Sequence, residues 1–205
     1  MTDVAVSSAQ SGLERRARQL AWLTICWNVV EGLVAVSSGV IDGSLALLGF
    51  GLDSFIEVFA GVVVLWQLRP GEEARERQAL RLIAFSFFAL AAYVTFEAGR
   101  GLLVGDEAGE SPVGVGLAAV SLVVMPVLAW AKRRTGRGLG NRVVMADATE
   151  TSLCAYLSVV LIVGLMLNAM LGWWWADPLA ALVIAGLAVR EGREAWRGET
   201  CCGDD

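Results

Sequence analysis

Long apolar runs separated by short polar segments dominate the chain. Six such runs, bounded by charged or turn-forming residues, cover about residues 20–40, 44–68, 79–104, 113–131, 144–171 and 178–189. A bilayer-spanning helix needs about 20 predominantly apolar residues, so the length allows about six spans with short connections. The pattern predicts an all-α membrane protein with six transmembrane helices, with charged loops at 69–78 and 132–142 and an acidic one at 105–112.

Basic residues are segregated along the chain. If the N-terminus is inside, every Lys and Arg except Arg100 falls in an inside segment or at its membrane boundary. The outside loops carry acids instead, namely Asp42, Asp106, Glu107, Glu110 and Asp177, and Trp173–Trp175 stands where an interface belt is expected. We therefore predict cytoplasmic termini, with a cytoplasmic arm at 1–19, a membrane domain at 20–189 and a cytoplasmic tail at 190–205, in a multi-pass plasma-membrane protein.

Composition narrows the possible chemistry. Of 205 residues, 56% are hydrophobic and 18% charged, which leaves no room for a sizeable soluble domain, and the net charge of -5 argues against nucleic acid as a partner. The chain has no histidine, and the positions of its four cysteines are not those of a disulfide framework. Any metal or proton chemistry must therefore use carboxylates, thiols and backbone.

Two carboxylates stand inside the second apolar run. Asp53 and Glu57 are four residues apart, which places them on one helix face a turn apart. Ionisable residues are costly in a membrane and mark functional sites by default. Two like charges so close in low dielectric require a cation or shared protons, so the pair predicts a cation or proton site.

A second polar stripe lies in the fifth run, where Asp147, Glu150, Thr151 and Cys154 share one face of an apolar helix. Glu150 and Cys154 repeat the spacing of Asp53 and Glu57. If the two helices face each other, oxygen donors from Asp53, Glu57 and Glu150 and a thiolate from Cys154 can form a tetrahedral metal cage.

Small residues precede the acids in both runs: Gly49 and Gly51 before Asp53, and Ala146 and Ala148 before Glu150. Because small residues permit close helix approach in lipid, we expect spans two and five to meet at this level.

Several polar residues leave alternatives open. Asp147 is a further candidate ligand, but it lies nearer the cytoplasmic end, where capping the helix or pairing with Arg142 are alternatives. Cys154 is alternatively a small buried hydrophobe. Three other polar residues inside the predicted spans are expected either to form hydrogen bonds between helices or to line the ion path, namely Asn28, Glu31 and Glu97. The adjacent Cys201 and Cys202 are either soft-metal ligands or incidental.

Four segments together resemble the cation diffusion facilitator family of proton-coupled divalent-metal exporters. They are Asn28 and Glu31 in the first span, residues 42–48 (DGSLALL), residues 146–148 (ADA), and residues 175–181 (WADPLAA). The resemblance covers about residues 15–197. It implies a transport site made by a ligand pair from each of the second and fifth helices, which by position are Asp53 with Glu57 and Glu150 with Cys154.

This chain departs from the family pattern at the second ligand of each pair, where Glu57 and Cys154 replace the usual aspartates, and it has no histidine. A thiolate softens the site, which favours zinc, cadmium or another soft ion over manganese or magnesium. The resemblance implies a short-form member without the common cytoplasmic metal-binding domain, dimerising, if at all, through membrane helices. It also implies alternating access coupled to protons, with the metal as transported substrate and no permanently bound cofactor.

Two other functions stay open from the sequence. One is a metal-binding membrane sensor or accessory subunit, and the other is an exporter of small organic solutes. An enzyme is not expected, because no nucleophile–base pair, histidine or phosphate loop is apparent.

Overall fold

The computed structural model describes residues 2–42, 45–69, 74–104, 112–171 and 175–198. These residues form six helices: α1 (Thr2–Asp42), α2 (Leu45–Gln67), α3 (Ala74–Val104), α4 (Pro112–Leu139), α5 (Arg142–Leu171) and α6 (Ala176–Arg197). No β-strand occurs in these ranges. The predicted all-α fold is confirmed: the described residues form a bundle of long apolar helices.

The surface and interior of the bundle have the polarity expected of a membrane protein. Large apolar side chains such as Phe85, Phe96 and Val123 are about two-thirds exposed, whereas Glu31 and Glu57 are almost completely buried. In lipid an apolar surface is stable, and polar groups instead gather inside the bundle. α1 to α5 are each long and apolar enough to cross a membrane, and α6 is shorter.

Small residues bring the helices together. The most extensive helix pairs are α1 with α2, α3 with α6 and α4 with α5, and α2 also packs against α5. Alanines fill much of the main core, with Ala60, Ala79, Ala84 and Ala188 fully buried. Close backbone approach of this kind is how helices associate in lipid, where apolar side chains gain little by leaving the surface.

The predicted role of the glycines before Asp53 is wrong. A methyl group added at Gly51 would lie 2.6 Å from Val36 Cγ2 of α1, and one at Gly49 would overlap the Tyr93 side chain of α3. The two glycines therefore admit α1 and α3 rather than α5. The α2–α5 contact itself is present.

Basic and polar side chains tie the helix ends together at one end of the bundle. Arg18 donates to the Leu68 carbonyl over 2.7 Å, and Asn141 Nδ2 donates to Gln67 Oε1 over 3.0 Å. Arg142 in turn donates to the Gly198 carbonyl over 2.9 Å. The segregated basic residues of the sequence thus meet at one pole of the molecule, and the side of the membrane that this pole faces stays a prediction.

The predicted loop at 132–142 is wrong for most of its length. α4 continues through Lys132 to Leu139, past Gly136 and Gly138, and ends before Gly140, which takes a left-handed φ of 61°. The Gly140 and Asn141 amides then donate to the Arg137 and Gly136 carbonyls and close the helix end. The basic composition of residues 132–139 suggested a loop, but these residues continue the helix.

Other helices also extend beyond the predicted spans. α1 begins at Thr2, so most of the predicted arm is helical; at 41 residues the helix is about 60 Å long, more than the ~45 Å of a whole bilayer. α3 begins at Ala74, inside the predicted 69–78 loop, and α6 continues to Arg197. The predicted turn at Gly43, the acidic loop at 105–111, Trp173 and Trp174 lie outside the described residues.

Candidate metal site

The four residues predicted as ligands lie on two helices that touch. Asp53 and Glu57 occupy α2, Glu150 and Cys154 occupy α5, and each side chain is at most 4% exposed. The spacing of four residues places each pair one above the other on its helix, as the sequence predicted.

The side chains of the two pairs neighbour one another across the α2–α5 contact. The Cys154 thiol interacts with the Asp53 carboxyl and lies close to Glu57. Glu150 lies within electrostatic reach of both Glu57 and Asp53. We call Asp53, Glu57, Glu150 and Cys154 the α2–α5 cluster.

Most carboxylate oxygens of this cluster have no hydrogen-bond donor. Among the described residues, nothing donates to Asp53 Oδ2, to either oxygen of Glu57 or to either oxygen of Glu150, and all five atoms are buried. Unpaired buried oxygens are costly, because they have lost water and gained no replacement. A cation or protons between the helices would supply the missing partners.

The donor atoms of the cluster do not already converge on one point. Within the described part of the chain, no three Cys, Asp or Glu side chains are grouped closely enough to hold a metal ion. Coordination by all four residues would therefore require their side chains, or the two helices, to draw together around the ion.

Asp147 forms a buried ion pair with a lysine. Lys132 Nζ lies 2.8 Å from Asp147 Oδ2 and donates to Thr151 Oγ1 over 2.8 Å, and both charged side chains are 1% exposed. The alternative pairing of Asp147 with Arg142 is wrong, because Arg142 binds the Gly198 carbonyl. Capping by Asp147 is wrong as well, since Asn141 Oδ1 accepts from the Val143 and Val144 amides at the start of α5.

Glu31 of α1 joins the same buried region. The Ser54 hydroxyl donates to Glu31 Oε2 over 3.2 Å, which ties α1 to α2 beside Asp53. Glu31 is also an electrostatic neighbour of Glu57, Asp53 and Cys154. The prediction that Glu31 hydrogen-bonds between helices is confirmed, and Asn28 instead donates to the Thr24 carbonyl of its own helix.

The remaining polar candidates lie apart from the cluster or outside the described residues. Glu97 pairs with Arg100 one turn along α3 over 3.3 Å, both partly exposed, so the one arginine that departs from the charge segregation has a counter-charge on its own helix. Cys26 is exposed on α1. Cys201 and Cys202 lie outside the described residues.

Lys132 is the residue that sequence reasoning missed. The predicted span ends at Ala131, which assigns Lys132 to a loop, yet the inward face of α4 continues through it. Buried positions on α4 recur at Gly114, Ala118, Ser121, Met125, Ala129, Lys132 and Gly136. The three- and four-residue spacing was the available signal, because a helix face continues past the point where composition turns basic.

Comparison with known proteins identifies the family of this chain. Residues 81–197 match the cation efflux transmembrane domain. An uncharacterized transporter of Methanocaldococcus jannaschii is 28% identical over 174 residues, which are 80% of this chain and 61% of that protein. The cation-efflux pump FieF of Shewanella oneidensis is 26% identical over 70% of this chain and 52% of the pump.

The magnetosome protein MamB of a Magnetospira strain is 22% identical over 86% of this chain and 64% of its own length. The chain thus spans roughly three-fifths of the length of the curated relatives that it matches. The matched domain covers more than half of the chain and all of α4, α5 and α6. This multi-pass membrane protein therefore belongs to the cation efflux family, the cation diffusion facilitators that its sequence resembles.

Proposed function

We propose that this protein exports a divalent metal cation, with zinc as the first candidate, and that the ion binds at the α2–α5 cluster. The observation that carries the proposal is the set of five buried carboxylate oxygens without donors beside a buried thiol, in a chain whose residues 81–197 match the cation efflux transmembrane domain. The similarity to a cation-efflux pump supports the direction of transport.

The proposed ligands are Asp53, Glu57, Glu150 and Cys154, one oxygen or sulfur from each. Three oxygens and one thiolate suit the four-coordinate geometry of zinc. The thiolate favours zinc or cadmium over manganese, which prefers oxygen ligands. Asp147 is held by Lys132 at 2.8 Å, so we assign it a positioning role rather than direct ligation.

We propose that transport is coupled to protons. The carboxylates and the thiol must be deprotonated to bind metal, so metal and protons compete for one set of atoms. Alternating access would expose the cluster to the cytoplasm for metal loading and to the outside for proton-driven release. Homodimerisation through membrane helices and cytoplasmic termini belong to the same proposal.

The test is metal uptake into proteoliposomes with an imposed proton gradient. The parent protein is compared with Asp53→Ala and Cys154→Ser for zinc, cadmium, manganese and iron. We expect gradient-dependent zinc uptake that Asp53→Ala abolishes, and a shift of preference away from cadmium in Cys154→Ser. Retained metal binding without uptake by folded protein would instead favour a sensor or accessory subunit, and the absence of metal binding would favour a different solute.

A further inference from the structure

A polar cleft of about 410 Å³ lies where α3, α5 and α6 meet at the basic pole. Its floor includes Leu80 and Ala195, which are buried, and its rim carries exposed polar side chains. No member of the α2–α5 cluster lines the cleft, so the cleft is a separate site.

Arginine dominates the charge of this cleft. Among the described residues, its lining includes Arg77 and Arg81 of α3, Arg142 of α5 and Arg197 of α6, against one carboxylate, that of Glu76. Each guanidinium carries five N–H donors in a planar fork that matches the oxygens of a phosphate group. Four such groups from three helices therefore form a surface suited to a phosphate-bearing anion.

Two of the arginines are held in place by contacts that leave donors free for a ligand. The Arg81 guanidinium stacks over the Trp196 ring at 5.5 Å from its centroid. Arg142 Nη1 donates to the Gly198 carbonyl over 2.9 Å, which uses one of its five N–H groups. The cleft is thus partly organised before any ligand binds.

The residues around the cleft favour a phospholipid as the source of the phosphate. Trp196 is 54% exposed, as is usual for a tryptophan at the headgroup level of a bilayer. Leu82 and Phe85 follow along α3 and are exposed on the apolar surface, where lipid acyl chains lie. A phospholipid can place its phosphate among the arginines and its chains against this surface, which a free anion cannot do.

We propose that the cleft binds the headgroup of an anionic phospholipid and so links the ends of α3, α5 and α6. Basic pockets between membrane helices are established sites for anionic headgroups. The proposal does not depend on the identity of the transported ion, because no member of the α2–α5 cluster lines the cleft.

The test is native mass spectrometry of the full chain in detergent, titrated with phosphatidylglycerol or phosphatidylcholine. Arg77→Gln combined with Arg197→Gln is the test variant, since neither side chain has a hydrogen bond or ion pair within the described residues. Arg134→Gln is the matched control, because Arg134 stacks on Trp130 at 5.6 Å and does not line the cleft.

We expect the parent to retain phosphatidylglycerol in preference to phosphatidylcholine. The double variant should bind it roughly thirtyfold more weakly, at about 1 kcal/mol per arginine near an anionic surface. The control should match the parent. Equal retention of the two lipids, an equal loss in Arg134→Gln, or binding of inorganic phosphate as tight as that of phosphatidylglycerol would each overturn the proposal, the last by showing that the acyl chains contribute nothing.

Discussion

At the scale of single residues, the buried carboxylate of Glu150 most needs a binding partner. Both of its oxygens are buried without a donor among the described residues, yet it lies within electrostatic reach of Asp53 and Glu57. A carboxylate in this position is destabilising unless a cation or a proton joins it. Binding of a cation or a proton would therefore stabilise Glu150 in the interior.

Replacing Glu150 with Gln removes a proposed ligand charge while keeping the side-chain shape. We expect zinc affinity to fall by at least about tenfold, the lower end of the loss seen when even a supporting partner of a metal ligand is removed. Competition with a fluorescent zinc chelator measures the change. Glu97→Gln, on a partly exposed carboxylate paired with Arg100, should bind zinc like the parent; an equal loss in both variants would contradict the assignment.

The Lys132–Asp147 pair makes a prediction about stability. Lys132→Met leaves the Asp147 charge buried and unpaired, which should destabilise the fold by about 3–5 kcal/mol. Adding Asp147→Asn should recover most of that loss, because both charges are then gone. Thermal unfolding in detergent measures both variants.

Because Lys132 and Asp147 are paired, the effects of the two substitutions should not add. If Asp147→Asn destabilised the Lys132→Met protein as much as it destabilises the parent, the two residues would be independent. Such additivity would contradict an energetically coupled ion pair.

At the level of whole helices, glycines set how closely α1 and α2 approach. Gly32 of α1 faces the Gly51 carbonyl of α2, and Gly51 in turn faces the Val36 amide and side chain of α1. A side chain at either glycine would separate the two backbones. This approach places Ser54 where it can bind Glu31 beside Asp53.

Gly51→Ala should therefore destabilise the bundle by about 1–3 kcal/mol, the usual cost of overpacking, since its methyl group would lie 3.0 Å from the Val36 nitrogen. Gly116→Ala is the matched control, because a Cβ there meets nothing within 4 Å. Thermal unfolding in the same detergent compares them. Equal stability of the two variants would show that α1 and α2 can move apart without loss of unfolding free energy, which would contradict this prediction.

The sequence predicted the helices and the polar faces of α2 and α5 because both depend on local periodicity. Periodicity and spacing are therefore sufficient to name Asp53, Glu57, Glu150 and Cys154 as candidates. They are not sufficient to orient Gly51, because a small residue signals close approach without identifying the neighbouring helix. Lys132 was missed for a related reason: a basic residue at a membrane boundary usually extends to the interface, and only tertiary contact with Asp147 turns it inward.

For the whole molecule, the basic pole predicts the orientation in the membrane. Because Lys and Arg are retained on the cytoplasmic side, the pole that contains Arg18, Arg142 and Arg197 should face the cytoplasm. A green fluorescent protein fused after the last residue should fluoresce in cells, and an alkaline phosphatase fused there should be inactive. An active phosphatase together with a non-fluorescent green fluorescent protein fusion would place this pole outside the cell and contradict the predicted orientation.

The cargo ion is proposed to bind between α2 and α5, with Cys154 among its ligands. X-ray absorption at the zinc edge, on purified protein loaded with one equivalent of zinc, tests it most directly. We predict a first shell with one sulfur at about 2.3 Å and oxygens at about 2.0–2.2 Å, and loss of the sulfur in Cys154→Ser. A shell without sulfur in the parent, or a sulfur that persists in Cys154→Ser, would contradict the account.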